Sequence, residues 1–260
     1  MDSNQTIYKV KNLSFSYGKQ EVIRELSLNL PKGKIITLIG ANGCGKSTLF
    51  NLMTKNLKST MGTIELCGVN VADISLKDFA KQVAIVHQYN TAPADLSVEK
   101  LVSYGRNPYR KMGMAVHAEE DREKIHWALS VTHTLKHKDK LMAELSGGQK
   151  QRVWIAMALA QDSKILFLDE PTTYLDIRYQ IQILRLIRQL NTEYGLSIIM
   201  VLHDINQSLY YSDEIVAMND GKIIAQGKPQ EIITSELLES VYKSKLEISY
   251  VNEKPFVLPV

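Results

Sequence analysis

Ile35-Ile36-Thr37-Leu38-Ile39-Gly40-Ala41-Asn42-Gly43-Cys44-Gly45-Lys46-Ser47-Thr48 carries the pattern that fixes the class of this chain. The first five residues are nearly all apolar and read as a strand buried on both faces. The segment after them is rich in glycine, and Leu49, Leu52 and Met53 follow at helical spacing. Buried strand, glycine loop and amphipathic helix in that order fit the phosphate-loop pattern of glycine, four residues, glycine, lysine and a hydroxyl residue. The order has a physical basis. Glycines let the backbone N–H groups between Gly40 and Thr48 converge on phosphate oxygens, and the helix adds its positive N-terminus. Lys46 is expected to reach the β and γ phosphates, and the Ser47 hydroxyl to ligate Mg²⁺.

Similar apolar runs recur on either side of the middle of the chain, at Ile165-Leu166-Phe167-Leu168 and at Ser197-Ile198-Ile199-Met200-Val201-Leu202. Ile181, Leu184, Ile187 and Leu190 lie between them at spacings that share one helix face. Strand alternating with helix predicts an α/β fold with a mostly parallel sheet. Ile7 to Leu30 instead alternates apolar and polar residues around a turn at Tyr17-Gly18-Lys19, which predicts an N-terminal antiparallel β subdomain. The stretch 91–162 shows no strand run and reads as an inserted helical subdomain, with Ile125, Ala128, Leu129 and Thr132 at helical spacing. Asn219-Asp220-Gly221 between two apolar runs predicts a hairpin, because these residues tolerate positive φ. The expectation is a single domain over 1–260, with a P-loop NTPase core lobe from 1–90 and 163–260 and a helical lobe from 91–162.

The charge balance, 31 basic against 28 acidic side chains in 260 residues, is no argument for nucleic acid as a partner. Two cysteines, Cys44 and Cys67, make neither a disulfide framework nor a zinc site. Met1-Asp2-Ser3-Asn4-Gln5 lacks the basic start of a signal peptide, and no apolar run approaches the ~18 residues of a membrane span.

Two further segments carry chemistry. Asp169 and Glu170 end the apolar strand beginning at Ile165; Asp169 can hold Mg²⁺ and Glu170 can polarise an attacking water. Ser146-Gly147-Gly148-Gln149 precedes a helix whose buried face is expected to hold Val153, Ala156, Met157 and Ala160, so it is a second anion site at a helix N-terminus. Leu145-Ser146-Gly147-Gly148-Gln149 brings the chain to a resemblance: it is similar to the nucleotide-binding subunits of ATP-binding-cassette (ABC) transporters, in which this segment is the signature motif.

The resemblance extends over essentially the whole chain. It implies that Tyr17 stacks on adenine, that Gln88 is the Q-loop glutamine sensing Mg²⁺ and the γ-phosphate, that Thr173-Tyr174-Leu175-Asp176 is the D-loop, and that His203 is the switch histidine. It also implies ATP and Mg²⁺ as cofactors and a head-to-tail homodimer, in which the signature segment of one subunit caps the ATP of the other. Tyr174, where small residues are usual, and Gly105-Arg106-Asn107-Pro108 resemble importers of iron-siderophores, haem and cobalamin. The implied activity is ATP hydrolysis driving uptake, most like that of iron-siderophore complexes. Its implied partners are a separate membrane permease and, indirectly, an extracytoplasmic binding protein. The subunit would lie on the cytoplasmic side of the membrane and bind no nucleic acid. A soluble ABC ATPase acting on ribosomes or DNA, and an importer of another metal or small solute, are the alternatives. Between Gln88 and Gly113, proline and glycine bracket a short helix pattern, a plausible lever whose Tyr104 and Tyr109 would meet the permease. Cys44 replaces the commoner small residue of the phosphate loop, next to a helix N-terminus and Lys46, and is expected to be a reactive thiol.

Overall fold

The computed structural model describes residues 6–109, 119–251 and 254–259. Met1–Gln5 and Gly113, to which readings above refer, lie outside the described residues. The chain divides into two compact units, 1–74 with 197–260, and 75–196.

The first unit contains the antiparallel pair foreseen from the alternation. Strands Thr6–Tyr17 and Gln20–Pro31 run side by side, and Met61–Leu66 and Val69–Asn70 complete a four-stranded sheet. Its second sheet carries the phosphate loop. Ile35–Ile39 and Ser197–Val201 are buried at every position and pair in parallel, as continuous apolar strands covered on both faces do. Glu214–Asn219 lies parallel on the other side of Ile35–Ile39 and turns back into Lys222–Gly227. That turn is the expected hairpin, with Asp220 at φ 49° and Gly221 at φ 77°, the pair of left-handed residues a two-residue connection of matching twist needs.

The C-terminal segment was not foreseen. Helix Ser235–Tyr242 and the hairpin Leu246–Val251 with Lys254–Pro259 pack over the end of this sheet. Leu238, Val241 and Val257 join Ile39, Leu209, Ile215 and Ala217 in one buried cluster. Each such apolar side chain contributes roughly 1.5–3 kcal/mol by leaving water. The Asn206 amide fixes the hairpin by bonding both ways with the Val257 backbone, donating to its O at 3.0 Å and accepting from its N at 2.8 Å.

In the second unit Val83–Val86 and Ile165–Asp169 pair in parallel. Helices Val98–Ser103, Glu119–Val131, Gly147–Ala160 and Ile177–Tyr194 make up most of the rest. Ile125, Ala128, Leu129 and Thr132 are buried as their spacing predicts. In Ile177–Tyr194 the buried stripe comprises Ile183, Leu184, Leu186, Ile187 and Leu190, while Ile181 is exposed; the face is rotated toward 183 and 186 from the one read off the sequence. The Gly105–Pro108 segment has a structural basis. Arg106 is buried and its guanidinium pairs with Asp121 at 2.6 Å and donates to the Ala160 carbonyl at 2.9 Å. A Cβ on Gly105 would sit 2.2 Å from the Met157 carbonyl, so no other residue lets these backbones approach. Mixed α/β architecture with a mostly parallel sheet, an N-terminal antiparallel sheet and helices following Val83–Val86 is the P-loop NTPase fold expected. No described helix is long and apolar enough to cross a membrane.

Candidate nucleotide site

Helix Lys46–Met53 begins at Gly45 (φ 108°), and no side chain caps it. Other helix starts are capped from within the chain: by Ser97, Ser146, Asp176, Asp204 and Thr234. A helix N-terminus without a side-chain cap presents N–H donors to an incoming anion. Gly43 (φ 81°) has open space where a Cβ would lie, whereas a Cβ on Gly40 would meet Cys44 Sγ and the Met218 carbonyl, both at 2.5 Å. Asn42, Gly43 and Ser47 are exposed; Lys46 is buried, its ammonium held by the carbonyls of Gly40 (2.8 Å) and Ala41 (3.0 Å). Thr48 and Cys44 are buried as well. The expectation of a reactive Cys44 is corrected here: its side chain points inward against Gly40 and is 5% exposed. Behind the loop, the hairpin glycine Gly221 donates its N–H to the Cys44 carbonyl at 3.0 Å, a support the sequence reading missed.

Tyr17 is exposed at a strand end, its ring packed edge-on to Phe15 with centroids 4.8 Å apart. His203 is exposed just after strand Ser197–Val201, beside Asp204, which caps helix Ile205–Tyr211.

In the second unit Asp169 ends its strand and Glu170 follows in the left-handed region, at φ 50°. A non-glycine residue held there costs of order 1–3 kcal/mol and persists where surrounding structure enforces it. Here the carboxylate is gripped: the Gln88 amide and the Thr173 hydroxyl (3.1 Å) both donate to Glu170 Oε2. Sequence reasoning named Gln88 and Glu170 but not Thr173 as a contact of that carboxylate. It singled out Tyr174 only as a departure; the structure gives it a partner, with the Tyr89 and Tyr174 hydroxyls 2.8 Å apart. Asp176 caps helix Ile177–Tyr194 through the Tyr179 N–H at 3.0 Å.

The segment at 146–149 forms a reciprocal cap. Ser146 Oγ accepts from the Gln149 N–H, and Gln149 Oε1 accepts from the Ser146 N–H at 2.9 Å. The two glycines differ. A Cβ on Gly148 would lie 2.3 Å from the Tyr179 ring, so packing alone requires glycine, whereas on Gly147 it would meet only Leu175 at 3.8 Å. Gly147 is exposed, and its smallness leaves a bare backbone facing outward.

The donor sets fit a nucleoside triphosphate with Mg²⁺. In the first unit the uncapped helix start and Lys46 present N–H donors and positive charge beside the Ser47 hydroxyl, and in the second unit the Gln88 amide oxygen and the Asp169 carboxylate are of the hard oxygen type that Mg²⁺ takes. Among the described residues no cluster of three or more His, Cys, Asp or Glu could hold a metal by itself. A cation that keeps phosphate oxygens as ligands needs no such cluster.

The ABC transporter family profile matches residues 23–173. An iron(3+)-hydroxamate import ATP-binding protein of Bacillus subtilis (strain 168) is 44% identical over 238 residues, 92% of this chain and 88% of that protein. A ferric enterobactin transport ATP-binding protein of Escherichia coli (strain K12) is 39% identical over 252 residues, 96% of this chain and 93% of that one. A solved inward-facing, putative metal-chelate type ABC transporter matches with a TM-score of 0.85 at 26% identity, over 99% of this chain and 98% of that chain. With its phosphate loop, its gripped carboxylate and its signature segment, the chain belongs to the ABC transporter family as an ATP-binding subunit that hydrolyses ATP.

Proposed function

We propose that this chain powers the import of iron-siderophore complexes through a separate membrane permease. The observation that carries the reading is identity of about two fifths, over nearly the full length, to ATP-binding subunits whose iron-chelate cargo is in their names. Lys46, the loop N–H groups and Tyr17 bind the nucleotide. Ser47, Gln88 and Asp169 would hold Mg²⁺, which when bound offsets phosphate charge. Glu170 orients the attacking water and takes up its proton, while His203 steadies the γ-phosphate. Such chemistry is positioning plus electrostatics. Ser146, Gly147, Gly148 and Gln149 of a second copy, with its Asp176 nearby, close each site, so two identical chains make two composite sites. The core lobe 1–90 with 163–260 then holds nucleotide, and the lobe 91–162 presents the signature segment. The subunit sits on the cytoplasmic side of the membrane, with an extracytoplasmic binding protein delivering cargo to the permease and no nucleic acid involved.

Reconstitution with a candidate permease of the iron-chelate import type tests this. ATP-dependent accumulation of a ferric hydroxamate in vesicles, abolished by Glu170→Gln, is expected. Assembly with no permease, together with co-purification on ribosomes or DNA, would favour the soluble alternative.

A further inference from the structure

The end of helix Glu119–Val131, the turn Leu135–His137 and the starts of helices Gly147–Ala160 and Ile177–Tyr194 flank an open cavity of about 300 Å³ within the second unit. That is the lower end of the range for ligand cavities, roughly 300–1,000 Å³, so an occupant is small. Five of the side chains lining it are basic or imidazole: His133, Lys136, His137, Arg152 and Arg178. The others that face it, among them Thr134, Gln149, Tyr179 and Gln182, are neutral and polar, and among the described residues no carboxylate lines the wall.

Two of these groups carry positive charge only at a cost. Arg152 is half-buried and uses two of its five N–H donors on neutral acceptors, the Thr132 carbonyl at 3.0 Å and Gln182 Oε1 at 3.1 Å. Burial pushes its guanidinium below the ordinary arginine range. Burial, and then the neighbouring Lys140 and Lys136 charges, likewise push His137 down. Charge of one sign gathered in a hollow without a counter-charge is unfavourable, and an anion entering it offsets the Arg152 charge and favours protonation of the His137 ring.

We propose that this cavity binds a small polyanion, one carrying two or more carboxylate or phosphate groups. The planar Arg152 and Arg178 forks suit such groups bidentately, and Lys136 adds a mobile ammonium at the exposed mouth. The site reaches the nucleotide chemistry through Gln149. That side chain lines the cavity, approaches His137 Nε2 at 3.4 Å and accepts the Ser146 N–H at 2.9 Å. An anion drawing on His137 therefore acts on the cap of the signature helix, a consequence that rests on the ATPase reading given above.

Isothermal titration calorimetry with citrate and, separately, pyrophosphate tests the site on nucleotide-free and Mg²⁺-free protein. Lys46→Ala serves as background, so that the phosphate loop cannot supply the binding. One saturable site per chain is expected in Lys46→Ala for at least one of the two anions, with any further site in the wild type assigned to the phosphate loop; which anion binds in Lys46→Ala names the group. Adding Lys136→Ala and Arg178→Ala, both at exposed positions, should weaken it at least about tenfold while unstimulated ATPase activity of the same pair in the wild-type background stays unchanged. Unaltered affinity in that variant, binding lost in Lys46→Ala alone, or no saturation by either anion below about 10 mM would overturn the proposal. Because the titration contains no ATP, an inactive ATPase with intact polyanion binding would sink the functional reading and leave this site standing.

Discussion

Gly221 does two jobs at one position. Its φ of 77° closes the hairpin, and its N–H holds the Cys44 carbonyl of the phosphate loop. A Cβ there would also sit 2.3 Å from the Val22 carbonyl, a backbone atom that cannot step aside. Gly221→Ala is therefore expected to cost about 2 kcal/mol or more, combining left-handed strain with a clash, and to weaken ATP binding as the loop loses its support. Urea unfolding and a nucleotide titration read the two effects; an unchanged midpoint would remove the first and an unchanged affinity the second. Cys44 itself is a packing residue, buried beside Gly40, while Cys67 is exposed. A maleimide should thus add one label per native chain, at Cys67, and reach Cys44 only on unfolding. Rapid labelling of Cys44 in the native protein would restore the view of it as a reactive thiol.

Helix Ser235–Tyr242 ends on a tyrosine that faces the phosphate loop. Burial is the main reason the Tyr242 hydroxyl is pushed up to about 12; the Cys44 and Asp204 charges add to it and a bond from the Gly40 backbone partly offsets it. A group whose folded pKa is raised contributes stability that is complete below its unfolded value, near 10, and lost as pH climbs through the folded value. Between pH 10 and 12 the wild type should therefore lose about 3 kcal/mol that Tyr242→Phe does not lose. Tyr8, also raised by burial, is common to both chains and cancels in the comparison. Parallel alkaline unfolding curves would show that Tyr242 ionises freely. No sequence signal announced this helix or the hairpin after it. Ile35–Ile39 was legible because five apolar residues in a row have few other uses, and the Asp220-Gly221 turn because its residues tolerate left-handed backbone. Val257 is buried in a cluster whose members Leu209 and Ile215 lie some 40 to 50 positions away, and its own strand carries Pro255 and Pro259. The site divides in the same way. Lys46 and Ser47 were legible because phosphate binding fixes their spacing along one loop. The grip of Thr173 on Glu170 and the Tyr89–Tyr174 bond were not, since only the folded backbone brings those atoms together.

Of the residues that the proposed function assigns to ATP hydrolysis, Lys46, Ser47 and His203 belong to the first unit of the molecule, and Gln88, Asp169, Glu170 and the signature segment to the second. The proposed dimer adds a requirement, that Ser146 and the bare backbone of Gly147 serve the nucleotide of the other copy. Glu170→Gln separates binding from turnover, because it keeps the shape and the contacts to Gln88 and Thr173 while removing the carboxylate. Loss of a general base costs about 10²–10⁴ in rate, so turnover should fall at least a hundredfold. The decisive measurement is size-exclusion chromatography of Glu170→Gln with saturating ATP. Two copies that each close the other's site, and cannot hydrolyse what holds them together, should elute as a dimer with nucleotide bound; a chain that binds ATP fully and still elutes as a monomer would contradict the composite site.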